Sequence, residues 1–128
     1  MDIQKHIDYW LDSADRDIKV AEDLFRIGYF NYSLFIGHLA LERILKGLYT
    51  KRFNSVPPKT HNLVFLLEKI ELKISNEVKQ FLLEANAFNI ETRYSDYKSD
   101  FYKKCTKEFA SENLAKIKDI YEWIKKQI

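Results

Sequence analysis

Side chains able to do chemistry gather in three places along this chain. The first is Asn89-Ile90-Glu91-Thr92-Arg93-Tyr94-Ser95-Asp96-Tyr97, where a guanidinium, two phenols and two carboxylates alternate without the spacing of an amphipathic helix. Arg93 presents a planar fork of five donors that matches phosphate or carboxylate, Tyr94 and Tyr97 present ring faces with hydroxyls, and Glu91 and Asp96 can orient the guanidinium. The second is His38, Glu42 and Lys46, at successive four-residue steps, a polar rail along one side of a helix beside its apolar stripe. Such a rail can hold a hydrogen-bonding imidazole and a phosphate-seeking ammonium in a groove, although Glu42 and Lys46 at this spacing are more often a plain helix ion pair. The third is His61, which follows a proline loop at a helix start, where unpaired backbone N–H groups attract anions. An equal reading there is structural, with Thr60 capping the helix and His61 covering the loop.

These sets lack a complete catalytic machine. His38 and Glu42 are spaced like half of a zinc site, but no further histidine-rich element stands nearby in sequence and Cys105 is the single cysteine, so neither a metal nor a disulfide is expected. There is no phosphate-cradling Gly-rich loop, HExxH, GxSxG or paired CxxC, and no cofactor is expected. The local chemistry points to binding an anion more than to turning one over.

The elements that must position these residues are helices. Ile7, Trp10, Leu11, Ala14, Ile18, Ala21, Leu24 and Phe25 recur at three- and four-residue steps and predict a helix from about Gln4 to Ile27, which Gly28 ends. Asn31 is the expected cap of a second helix reaching about Arg52, antiparallel to the first because the connection is short. Pro57 and Pro58 exclude helix from the next segment. Thr60 is expected to restart it, giving a short helix with Leu63, Leu66, Leu67 and Ile70. Ser75 and Glu77 open another with Val78, Phe81, Leu82 and Ala85, and Thr106 caps a last one with Phe109, Ile117, Ile120, Tyr121, Ile124 and Ile128 on one side. Between Phe88 and Thr106 the pattern dissolves. The expectation is an all-α, antiparallel up-and-down bundle of four to five helices in a single domain spanning residues 1–128.

Composition narrows the class. The chain has three Gly and two Pro, which suits long elements, and 15% aromatic residues, enough for some rings to face a partner or ligand. Net charge is only +2, but through Ile27 seven acids face four bases, whereas from Phe101 onward seven lysines outnumber four acids. A basic last helix is the nearest thing to a nucleic-acid footprint; its commoner meaning is a solvated face complementing the acidic first helix, which carries Asp8, Asp12, Asp15 and Glu22. No segment looks like a signal peptide or a membrane span, and the lone thiol suits a reducing compartment, so a cytoplasmic location without membrane association is expected.

Four segments taken together resemble the HEPN domain, the "higher eukaryotes and prokaryotes nucleotide-binding" family: the helix from Ala14 to Phe25, HLALERILKGLY from His38, PPKTHNLVFLL from Pro57, and NIETRYSD from Asn89. The resemblance covers nearly the whole chain. It implies a helical bundle that commonly forms a homodimer and binds nucleotide or RNA phosphate. Small stand-alone prokaryotic members look like partners of minimal nucleotidyltransferases in toxin–antitoxin pairs. Many active members are metal-independent ribonucleases whose motif is an Arg followed after four to six residues by His. Here no His follows Arg93, so the resemblance carries over at most phosphate contact for Arg93, with Ser95 in place of the proline of the family's RYP. The expected ligand-facing set is His38, Glu42, Lys46, His61, Arg93, Tyr94 and Asp96. Two alternatives stand beside a binding module: an RNA-cleaving toxin using His38 or His61 as a non-standard imidazole, and a purely protein-binding bundle with Tyr94, Tyr97 or Tyr102 as acceptors of a nucleotidyl group.

Overall fold

The computed structural model describes residues 2–93 and 95–128, with side chains for all of these except 91–93 and 95–99. Among them six helices follow one another: α1 (Ile3–Arg26), α2 (Phe30–Phe53), α3 (Leu63–Ile70), α4 (Asn76–Arg93), α5 (Ser95–Lys104) and α6 (Lys107–Lys125). None is long and apolar enough to cross a membrane.

The α1–α2 hairpin organises the rest. At its turn Gly28 adopts a left-handed φ of 93°, and the Gly28 and Tyr29 amides donate to the carbonyls of Phe25 and Leu24, satisfying the end of α1. Because this turn is so tight, α2 begins at Phe30 with Tyr29 at the cap position and no side-chain cap. Asn31, expected there as the cap, is instead buried inside the first turn. Apolar and small residues line α2 on several sides, as α1, α3, α4 and α6 all pack against it. Ser33 donates to the carbonyl of Ala21 in α1 at 2.7 Å, and Arg43 meets Asp17 at 3.0 Å. Gly37 allows the closest approach: a Cβ there would stand 2.9 Å from Ile117 Cδ1 of α6.

Two sequence expectations change in the second half. Asn62, not Thr60, caps α3, accepting from the Val64 and Phe65 amides at 3.1 Å each, while Thr60 Oγ1 accepts from Asn62 N. The segment after Phe88 is largely helical, which adds a helix to the expected four or five. No Gly or Pro breaks the run from Asn89 to Cys105, and Phe101 and Cys105, one turn apart, are buried; the Phe101 ring stacks on Phe88 at 5.7 Å. Tertiary burial of Phe101 within α5 and of Cys105 just past its end supports a helix that local pattern alone does not mark. Ser75 and Thr106 cap α4 and α6 as their positions suggest.

Candidate functional site

His38, Glu42 and Lys46 leave α2 on one side, toward the proline loop and α1, and the structure joins them to His61 in a single network. Glu42, almost fully buried, receives His61 Nδ1 on Oε1 at 2.8 Å and Lys46 Nζ on Oε2 at 3.0 Å. His38 Nε2 lies 2.9 Å from the carbonyl oxygen of His61. A carbonyl only accepts, so Nε2 carries the hydrogen of His38; a carboxylate only accepts, so Nδ1 carries that of His61. The two histidines therefore point opposite ring nitrogens at their acceptors, and His61 is held at both its backbone and its ring by residues one turn apart on α2.

Their environments differ as sharply. His38 is inaccessible to solvent, and burial holds its ring below the ordinary histidine range against the opposing pull of the Glu42 charge and the hydrogen bond to His61. The His61 side chain is 58% exposed, which leaves its Nε2 edge as the imidazole group able to meet a ligand. Behind it, the ammonium of Lys46 sits 5.6 Å from the centre of the Trp10 ring, so α1 closes the far end of the network. Two buried side-chain atoms lack a hydrogen-bond partner among the described residues, Trp10 Nε1 and His38 Nδ1, and both border this network.

The helix start beside His61 is closed to anions. Leu63 N donates to Asn86 Oδ1 at 2.9 Å, the next two amides go to Asn62, and Leu66 N goes to the Asn62 carbonyl. Asn86 Nδ2 completes the clamp on Asn62 Oδ1. An anion here must be met by side chains. Tyr94 lies outside the described residues, as do the side chains of Arg93 and Asp96; by their backbone Arg93 ends α4 and Asp96 lies in the first turn of α5.

Trp10 and Asn86 are the members that sequence reasoning missed. Trp10 reads as one more position of the α1 stripe, and only its contact with Lys46 sets it apart. Asn86 carries no sequence signal at all, because its partners come from the loop 24 residues earlier. Among the described residues no three metal-ligating side chains converge. A groove of about 490 Å³, with Ile74, Val78, Ile120 and Trp123 in its walls, contains none of the network residues.

Comparison with known proteins agrees with this architecture. The family model of the HEPN domain matches residues 7–127. No functionally curated protein matches the chain. Among solved structures, TT1696 from Thermus thermophilus is similar with a TM-score of 0.81 at 21% identity, covering 95% of this chain and 98% of its own. ST0689, described as an archaeal HEPN homologue, is similar with a TM-score of 0.74 at 21% identity, covering 94% and 96%. With the family model matching from the first core residue of α1 to the end of α6, the chain belongs to the HEPN domain family.

Proposed function

We propose that this chain is a nucleotide- or RNA-phosphate-binding module that works as a homodimer beside a minimal nucleotidyltransferase in a toxin–antitoxin-like pair. The observation that carries the binding reading is His61: a half-exposed imidazole fixed by a buried carboxylate, next to an ammonium that the same carboxylate neutralises. With a hydrogen on each ring nitrogen, His61 donates Nδ1–H to Glu42 and presents an already oriented Nε2–H to an arriving phosphate oxygen, so little side-chain freedom is lost on binding. Arg93, the last residue of α4, is the guanidinium that the family resemblance assigns to phosphate contact. Calorimetric titration of the intact protein with AMP, ATP and a short RNA tests the reading. His61→Ala and Arg93→Ala are each expected to weaken binding by about tenfold, the scale of one charge-assisted hydrogen bond. Affinity unchanged in both variants, or no binding by the wild type, removes the proposal.

One observation favours a second reading, metal-independent RNA cleavage. An imidazole whose Nδ1–H is held by a carboxylate while Nε2 stays free is the arrangement used by histidines that move protons. Against it, His38 is buried with its Nε2 held by a carbonyl, and no His follows Arg93. Incubation with a labelled RNA pool in the presence of a chelator decides: cleavage lost in His61→Ala supports the enzyme, and intact RNA argues for binding alone.

A further inference from the structure

The proline loop and the first turns of α1 enclose a groove of about 360 Å³ that no step above uses. Its walls are Lys5, His6, Tyr9, Trp10, Val56 and Pro57. That volume falls within the roughly 300–1,000 Å³ of small-molecule sites. Tyr9 and Trp10 meet edge to face at 5.1 Å and 68°, so their rings form two walls at a steep angle. Tyr9 and Val56 are 56% and 60% exposed, apolar surface left open among the described residues. Among the described residues no carboxylate lines the groove, whose accessible wall is almost wholly apolar, and the exposed side chains of Lys5 and His6 stand at its rim.

The groove meets the polar network at one residue. Trp10 is shared: one part of its ring lies by the Lys46 ammonium, and Lys46 is bound to the same carboxylate that fixes His61. A ligand with a flat π-system and an attached anion satisfies both parts at once. A fully apolar ligand leaves the bases unused, and a bare anion leaves the rings unused. We infer that this groove is a base-stacking subsite, which takes the nucleobase of a nucleotide or of a single-stranded RNA while the attached phosphate faces Lys5, His6 or His61. The inference rests on the binding reading above and adds where the base lies. Stacking on aromatic side chains is tolerant of base identity, so the subsite selects for a base rather than for one particular base.

Trp123→Phe leaves Trp10 as the single tryptophan and provides the readout. In that background, emission is followed on titration with AMP, ribose 5-phosphate and a short oligoadenylate, and calorimetry gives the affinity with and without Tyr9→Ala. AMP and the oligoadenylate are expected to quench Trp10, ribose 5-phosphate to leave it unchanged, and Tyr9→Ala to weaken AMP binding by about tenfold, within the range for loss of one stacked base. A tighter response to the oligoadenylate than to AMP identifies RNA as the source of the base. Heat from AMP binding with unaltered Trp10 emission and no effect of Tyr9→Ala overturns the subsite while leaving the binding reading intact. No binding of any of the three probes overturns both. If Tyr9→Ala instead dissociates a dimer at unchanged AMP affinity, the groove is a contact between copies and the inference falls. Tyr9 is exposed, so its truncation is not expected to unfold the chain, and a thermal melt checks this.

Discussion

At the scale of single residues, Glu42 decides most. It is a buried carboxylate whose two oxygens are both taken, one by His61 and one by the buried ammonium of Lys46. Glu42→Ala leaves Lys46 charged and unpaired in a nearly dry site, and is expected to cost about 3–5 kcal/mol in a chemical melt. The double variant Glu42→Ala, Lys46→Met removes both charges and should recover much of that loss, since no buried charge is then left without a partner. Costs that simply add would show the two residues do not act as a pair. The histidines give a separate test. Nitrogen–proton correlation spectra of the rings should show a hydrogen on Nε2 of His38 and on Nδ1 of His61; a bare nitrogen at either position would contradict the network. His38 also ties stability to pH. Its folded-state pKa lies below the ordinary 6.5, so between those two values the unfolded chain binds the extra proton. Its contribution is therefore present above about pH 6.5 and is lost as pH falls toward the folded value. His38→Gln keeps an N–H for the His61 carbonyl but cannot titrate, and its melting temperature should fall less than that of the wild type between pH 7.5 and 5.5.

Elements were legible wherever apolar spacing or a cap marked them. The α1, α2 and α6 stripes, the Gly28 stop, the proline loop and the Ser75 and Thr106 caps all follow from local chemistry. Errors arose where a local signal had a rival two residues away. Thr60 and Asn62 are both competent caps, and Asn62 serves because Asn86 of α4 reaches it. Asn62→Ala should therefore cost about 1–2 kcal/mol, at the upper end for a lost cap, because Asn86 loses its partner as well. The α5 backbone carries no apolar stripe because Phe101 and, just past its end, Cys105 are too few to make one, and the stacking of Phe101 on Phe88 exists only in the folded chain. A further test concerns the crossing of α2 and α6. Gly37→Ala drives a methyl into Ile117 and should destabilise by about 1–2 kcal/mol, and Ile117→Val should relieve part of that cost. A Gly37→Ala variant as stable as the wild type would mean that the helices can move apart freely.

For the whole molecule, the expected basic last helix is corrected, because α6 holds four lysines and four acids and the excess lysines from Phe101 onward lie outside it, yet its lysines do meet acids of α1: Lys118 pairs with Glu22 at 3.3 Å, and Lys125 with Asp15 at 3.0 Å. Both pairs are partly exposed, so Lys118→Ala should change stability by less than about 0.5 kcal/mol and 1 M salt should shift the melt only slightly. Tyr121 is different. It is buried and donates to Asp15, and burial together with that carboxylate raises its hydroxyl well above the ordinary tyrosine range. The sequence alone determined the helical class, most of the helix ends and the family, because these depend on the period of apolar residues and on short motifs that local physics reads. Whether His38, Glu42, Lys46 and His61 formed a surface rail or a closed network was decided only by tertiary structure. Spacing along α2 places side chains on one side of a helix, but burial, tautomer and pairing depend on what the proline loop, α1 and α4 bring against that side. Arg93, the most conspicuous residue in the sequence, thus lies apart in the chain from an imidazole that folding, and not spacing, made available.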